Sequence, residues 1–294
     1  MSGFNSVAQY ADADLAGQTW TTQFRKTVAS AATTTNGWID YSYFAGSPSA
    51  NFYASSPSVS AVVEVIRGIY VPNVTPKTQH LKSLNVMTAN TGNTANARQS
   101  LILCDYLLYY PFIDTDAIGE EQLMENPVPI PRYSSGQVVA VGQSASSAIG
   151  TFTFTYTNQD GVAGRVSQVN STFIVGGGGM VVGASGTGAS YNPFLLLQAG
   201  DSGVQSIQSV TFTGAGGGLM ALVIVKPLFF GYVTQECRTT TGVAYGAANE
   251  FRSVIDSAGA PQIKDGAVLN IFARGSAGSL ASSQLIGQLD TVWN

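Results

Sequence analysis

Hydrophobic and polar residues alternate with a period of two along much of this chain. The clearest example is residues 151–156, where threonine alternates with an aromatic residue, so every ring falls on one face of a strand. Residues 158–161 (Asn-Gln-Asp-Gly) are typical of a turn. We therefore expect residues 162–169 to return antiparallel to the first strand.

Other segments share this enrichment in β-branched and aromatic residues. The predicted strands are residues 61–70, 83–88, 99–112, 137–141, 172–175, 180–182, 194–198, 206–212, 219–225, 232–236 and 268–273. Turn residues at positions 89–94 predict that 83–88 and 99–112 form a hairpin with a long loop. The pattern indicates a mainly β fold, with an antiparallel β-sandwich or jelly-roll-like body at residues 61–230.

The segments outside this body are predicted to be extensions. Residues 1–60 are interpreted as an N-terminal arm with a short helix at 6–15, followed by an extended segment rich in aromatic rings. Because a disordered tail carries few rings, this segment is expected to lie against the body of its own chain or of a neighbour. Residues 231–294 are interpreted as a C-terminal extension with a short helix near 247–255. The residues expected to contact neighbouring subunits are Phe4, Tyr10, Trp20, Phe24 and Trp293. Deleting residues 1–30 is predicted to leave a folded body that no longer assembles.

Composition adds a reason to expect assembly. Charged residues are 10% of the chain and hydrophobic residues 45%, whereas ordinary globular domains contain roughly 25% charged residues. The missing charges are replaced by Ser, Thr, Asn, Gln and 33 glycines. Because interfaces are depleted of charge at their centres, this surface is expected to be covered by copies of the chain or by other partners.

The charge and cysteine content limit the classes of partner. The net charge is −4, and the 13 basic residues are scattered, so no direct nucleic-acid partner is expected. The longest apolar stretch, residues 219–225, is too short to span a bilayer, so no membrane partner is expected. The start of the chain lacks the pattern of a signal peptide. Cys104 lies in an apolar run and Cys237 in a polar one, and a bridge between them is left open.

Few residues suggest catalysis or cofactor binding. His80 is the only histidine, which excludes sites with several histidine ligands, and it is expected to be an exposed polar residue. Asp114, Asp116, Glu120, Glu121 and Glu125 form the one acidic cluster. Its spacing fails the pattern of a calcium loop at Ile118, so a solvated loop, or one facing a basic residue such as Arg132, is expected instead. The glycine-rich segments lack the Lys-Ser/Thr of a phosphate loop. No enzyme activity, metal or cofactor is predicted, although ion binding at Asp114, Asp116 and Glu120 is left open.

Several segments resemble structural proteins of tailed bacteriophage particles. These are residues 105–113 with the prolines and Arg132-Tyr133 that follow, residues 154–165, 197–204, 225–228 and 263–270, and Trp293-Asn294. The resemblance implies a virion protein without catalytic residues, made in the host cytoplasm and located in the particle. It would assemble symmetrically and attach to the capsid as a cement, decoration or minor capsid protein, with copies of itself and other virion proteins as partners.

Two other functions are left open by the sequence. One is a tail or fibre component that recognises a host surface glycan or protein. The other is a carbohydrate hydrolase that uses the carboxylates at 114–125, although nothing in the sequence fixes their spacing across a groove.

Overall fold

The computed structural model describes residues 4, 6–28, 37–90, 99–173, 176–184, 192–233, 236–238, 244–246, 249–252, 261–275 and 280–294. The fold is mainly β, and the paired strands are antiparallel, as expected for a β-sandwich body. Three sheets are present in this part of the chain, called here the terminal, central and third sheets.

The terminal sheet combines strands from the two ends of the sequence. Its order is β15 (Glu236–Arg238), β16 (Ala244–Gly246), β5 (Gln79–Asn90), β20 (Ser283–Trp293), β1 (Thr19–Thr27) and β3 (Ala45–Ser47). Two further strands, β17 (Asn249–Arg252) and β18 (Gln262–Ile263), also pair with β5. β1 pairs with β20 over its whole length, from Thr19 opposite Val292 to Thr27 opposite Gln284.

The central sheet supplies the longest and most buried strands. Its order is β2 (Trp38–Asp40), β19 (Leu269–Gly275), β6 (Gln99–Asp114), β14 (Leu219–Val233) and β8 (Gln137–Gly142), with β4 (Ala61–Val62) also on β6. Both faces of β6 are buried over most of its length. A strand buried on both faces is a continuous apolar run rather than an alternating one, and 101–104 (Leu-Ile-Leu-Cys) fits that rule.

The third sheet contains the alternating segment. Its order is β12 (Gly183–Ala184), β11 (Asn170–Thr172), β9 (Thr151–Asn158), β13 (Val204–Gly214) and β7 (Glu121–Leu123), and β10 (Arg165–Val166) also pairs with β9. Phe152, Phe154 and Tyr156 are buried on one face of β9, and its threonines lie on the other. The predicted antiparallel return is confirmed in β10.

One hydrophobic cluster joins the inward faces of the three sheets. Phe24 and Leu84 enter it from the terminal sheet, Leu103 and Tyr110 from the central sheet, and Phe154 from the third sheet. A second cluster on the opposite face of the central sheet contains Trp38, Tyr53, Tyr106 and Phe272. Because strands throughout the chain contribute to the first cluster, the core is not confined to residues 61–230.

Several predicted elements differ in the structure. Residues 61–70 form β4 and a 3₁₀ turn, Val65–Arg67, rather than one strand. The predicted hairpin of 83–88 and 99–112 is wrong, because β5 and β6 belong to different sheets. β17 occupies part of the predicted helix 247–255, the rest of which lies outside the described residues. Residues 194–198 have no strand pairing in the described structure.

The strand predicted to end at residue 225 continues through Pro227 to Val233 as β14. β8 begins at Gln137, opposite Val225, so Pro227 lies beyond the part of β14 that pairs with β8. A register shift between Pro227 and Phe229 absorbs the irregularity on the side of β6. Proline is tolerated in sheets at such bulges and free edges.

The predicted arm and extension both take part in the sheets. Residues 19–27 form β1, and residues 283–293 form β20 beside it. Deleting residues 1–30 would therefore remove a sheet strand and the buried Phe24, rather than a detachable arm. The helix predicted at residues 6–15 is confirmed as α1 (Val7–Leu15), which is capped by the side chain of Ser6 accepting from Gln9 N at 3.2 Å.

Candidate interaction surfaces

The residues considered for catalysis do not come together. His80 lies in β5, with its ring centroid 5.6 Å from that of Phe4. Among the described residues, no three His, Cys, Asp or Glu side chains are close enough to hold a metal. Cys104 is a buried free thiol in β6, and burial raises its pKa well above the usual value. The side chain of Cys237 lies outside the described residues.

The acidic cluster forms an exposed turn between β6 and β7. Asp114 Oδ1 accepts from Asp116 N at 2.8 Å, and Asp116 Oδ1 accepts from Gly217 N at 2.9 Å. The Gln122 amide completes the turn by bonding to the main chain of Asp114 at 2.8 and 2.7 Å. We call residues 114–125 the acidic edge, because they include β7, the last strand of the third sheet within the described residues.

Arg132 does not face this turn, in contrast to the prediction. Its guanidinium binds the buried carboxylate of Asp105 through two bonds of 2.9 and 2.7 Å. Val268 N also donates to Asp105 at 2.9 Å. Burial raises the pKa of Asp105, and the bonds from Arg132 oppose that rise. This bidentate pair ties the segment before β8 to β6.

A second buried carboxylate organises the segment that follows β2. Asp40 accepts hydrogen bonds from the hydroxyl of Tyr106 at 2.7 Å, from Ser42 N and Oγ at 2.8 Å each, and from the hydroxyl of Tyr53. Burial raises the pKa of Asp40, while these donors lower it. Asp40, Tyr53 and Tyr106 are fully buried, so these hydrogen bonds lie out of solvent and tie the segment to β6.

Lys26 holds the same segment against β1. Its ammonium donates to the carbonyl oxygens of Ser42, Phe44 and Ser49 at 3.4, 3.1 and 3.4 Å. Burial lowers the pKa of Lys26 to about 8, although nearby Asp40 favours the charged form. This cage fixes residues 42–49, which include β3 and one wall of the grooves described next.

Two adjoining grooves open beside β1 and β3. The first, of about 640 Å³, lies across β1, β20 and β5 and is lined by Arg25, Asn85, Met87, Ile286 and Gln288, among others. The second, of about 500 Å³, lies between β1 and the 65–70 segment. Gln23 and Ser47 line both grooves, so the two adjoin there.

The floor of the first groove requires glycine at position 287. A Cβ atom there would lie 2.3 Å from the ring of Phe24, its partner across β1 and β20. A side chain at position 287 would therefore displace the ring of Phe24, which packs in the core beneath the first groove.

Exposed apolar side chains collect at the second groove. Trp20 and Tyr70 make an edge-to-face contact with ring centroids 5.8 Å apart. Trp20 Nε1 donates to Thr22 Oγ1 at 2.7 Å, and Thr22 Oγ1 donates to the carbonyl of Tyr70 at 2.6 Å. The group called here the apolar patch is Trp20, Val65, Ile66 and Tyr70, which are 40%, 43%, 73% and 50% exposed.

The five predicted interface residues have different environments. Phe4 packs on Tyr10 at 5.6 Å beside β5, and both are partly buried. Trp20 belongs to the apolar patch. Trp293 is partly buried in β20, and its main-chain N donates to Gln18 O at 3.0 Å. Phe24 is only 3% exposed and lies in the core, because β1 turns alternate residues inward.

Sequence reasoning missed Val65, Ile66 and Tyr70 as surface residues. The β-branched residues at 61–70 predict a strand, and a strand would turn alternate residues away from solvent. The adjacent apolar pair Val65-Ile66 interrupts the period of two, so alternation does not predict one continuous strand there.

The helix α1 makes limited contact with the rest of the chain. Ala13 is its only buried residue, while Val7 and Leu15 are exposed. Asp14 forms an ion pair with Lys82 of β5 at 2.6 Å. Gly17 follows the helix with φ +70°, a conformation that favours glycine, and so turns the chain into β1.

Comparisons with known proteins add no relative. No family model, curated protein or solved structure matches the chain. None of the helices in the described residues has the length and apolar character needed to cross a bilayer.

Proposed function

We propose that this chain is a non-enzymatic structural protein of a bacteriophage virion, which assembles with copies of itself and attaches to the capsid as a cement, decoration or minor capsid protein. The observation that carries the self-assembly is the apolar patch beside an open strand edge. All four of its members are at least 40% exposed, within an exterior that is poor in charge. Contiguous exposed apolar surface of this kind typically marks an interaction site.

The assignment to a virion rests on the sequence resemblance together with this surface chemistry. Repeated weak contacts between many identical subunits add up through multivalency, so each individual interface need not be strong. A chain of this type needs surfaces that hydrogen-bond and bury apolar area, and it needs no reaction centre.

Particle incorporation tests the proposal. The full chain and a variant lacking residues 1–17 are produced during infection, and purified particles are examined for the protein by mass spectrometry and cryo-electron microscopy. The truncation removes α1 but keeps β1, so the sheets are preserved. We expect the full chain in particles at a fixed copy number, and the truncated chain at a lower one because it lacks Phe4 and Tyr10, two of the predicted interface residues. A full chain that is absent from particles and remains monomeric at high concentration would contradict the proposal.

A second candidate is recognition of a host glycan or protein by a tail or fibre component. The second groove favours it, because the amide of Gln23 and the hydroxyls of Ser47 and Ser49 line it together with exposed Tyr70, and sugar recognition combines such groups. Purified protein on a glycan array, compared with Tyr70→Ala, tests this function. Tyr70-dependent glycan binding, with particle stability unchanged by the substitution, would favour it over the structural role.

A further inference from the structure

Acidic charge is concentrated in one place on this molecule. Five of the 17 acidic residues lie in the acidic edge, which contains no lysine or arginine. Without these five charges, the net charge of −4 becomes +1. The edge is also apolar in part, because Ile118 and Leu123 are exposed between the carboxylates.

The acidic edge is built on a strand that is open along most of one side. Within the described residues, β7 pairs with β13 and is the last strand of its sheet. The side facing away from β13 is closed at Glu125, whose main chain bonds to Ser58 and Ser60. Open edges invite pairing with other strands, and charged side chains limit which strands can approach. Two acidic edges repel each other, so the carboxylates disfavour contact between two copies of β7 and leave an uncharged or basic edge as the compatible partner.

An edge of this kind is present in the terminal sheet, where it is formed by β3. β3 is uncharged, exposed at all three residues and last in that sheet within the described structure. Arg25 lies beside it, opposite Ser47 in the ladder. Arg67 donates to the carbonyl of Ala50 at 2.8 Å, and Glu64 lies 3.4 Å from it. Arg25, Arg67 and Glu64 together carry one positive charge next to the apolar patch, and Arg67 is partly buried.

We propose that the acidic edge of one copy docks on β3 and the apolar patch of a second copy. Ile118 and Leu123 would cover Val65 and Ile66, while Glu120 and Glu121 would face Arg25. This inference rests on the proposed self-assembly and specifies its geometry. Because the two surfaces differ, the contact is heterologous, and repeated docking generates rings or open chains.

Charge reversal on each side tests the contact. One variant carries Arg25→Glu and Ser47→Glu, and leaves Arg67 to hold Ala50; the other carries Glu120→Lys and Glu121→Lys. Each alone is expected to weaken self-association by about tenfold or more in sedimentation velocity, because like charges then meet. Mixed in equal amounts, the two variants are expected to recover association, since each reversed surface meets its complement.

Matched controls reverse exposed charges elsewhere, with Asp160→Lys and Lys77→Glu, and should associate like the unmodified chain. Ile66→Ser tests the apolar contribution without a charge change and should also weaken association. Circular dichroism confirms that each variant retains its sheets.

The outcomes separate this inference from the proposed function. If the unmodified chain associates but both reversed variants associate equally well, or if their mixture does not recover, the docking geometry is wrong and self-assembly stands. If the unmodified chain does not associate and is absent from particles, both fail.

Discussion

At the scale of single residues, buried polar groups fix the surfaces that face outward. The Lys26 cage and the Asp40 cluster hold residues 40–53, and this segment forms β3 and one wall of both grooves. Each buried donor or acceptor that loses its partner costs about 1–3 kcal/mol. The exposed interaction surface is therefore sensitive to substitutions beneath it.

Gly287→Ala tests the tightest contact of the first groove. The added Cβ would meet Phe24 at 2.3 Å, so we expect a loss of about 1–3 kcal/mol in the free energy of unfolding, as for other overpacked cores. Urea denaturation measures the change. Gly214→Ala is the control, because its nearest neighbour would be Thr151 Oγ1 at 3.3 Å, and it should cost less. Equal losses would show that the contact with Phe24 is not limiting.

Lys26 should make stability depend on pH. Its pKa is about 8 in the fold and 10.5 as its ordinary value, so the unfolded chain binds more protons between these limits. Stability from this group therefore rises with pH above 8, by at most about 1.4 kcal/mol per pH unit. Urea unfolding between pH 7 and 10 should show this rise, and Lys26→Met should lack it. A variant with the same pH dependence as the unmodified chain would contradict the assignment.

At the scale of elements, alternation in the sequence predicted strands better than it predicted their partners. β9 was recognised because threonine and aromatic residues alternate without a break. The interpretation of residues 1–60 as an arm misses β1, in which polar residues occupy most positions, including the inward Lys26. The pairing of β5 with β20 joins segments nearly 200 residues apart, and nothing in either segment identifies the other.

For the candidate surfaces too, single residues could be predicted from the sequence, whereas their arrangement in the fold could not. Trp20 and the acidic cluster were found from residue type alone. The apolar patch and β3 were missed as a surface, because they depend on which side of a sheet each residue faces and on where a sheet ends. Those properties come from pairing between distant segments.

Truncation at two points distinguishes an appendage from a strand. Removing residues 1–17 should leave the sheets intact, because α1 buries only Ala13. Removing residues 1–30 should unfold the terminal sheet, because β1 and the buried Phe24 are lost. Circular dichroism and limited proteolysis compare the two truncated chains. A stable, protease-resistant chain without residues 1–30 would show that β1 is dispensable.

At the scale of the whole molecule, one hydrophobic cluster connects the three sheets. Cooperative unfolding follows when the same core stabilises every part. The boundaries predicted at residues 60 and 230 would instead separate strands that share this core.

A single unfolding transition is therefore expected. Phe154→Ala in the third sheet should cost about 3–5 kcal/mol as a core truncation and should shift the transition seen by circular dichroism and by tryptophan fluorescence together. Fluorescence reports on the three tryptophans of the chain, Trp20, Trp38 and Trp293, which lie in the other two sheets. If fluorescence were unchanged while circular dichroism shifted, the sheets would unfold independently.

The position of β20 between β5 and β1 also constrains biosynthesis. Both neighbours leave the ribosome long before β20 is translated, so the terminal sheet cannot close during most of elongation. Until β20 is made, the edges of β5 and β1 that will pair with it are exposed to neighbouring nascent chains on the same polysome. We expect completion of this sheet to be a late step in folding, because β20 is the last of its strands to be translated.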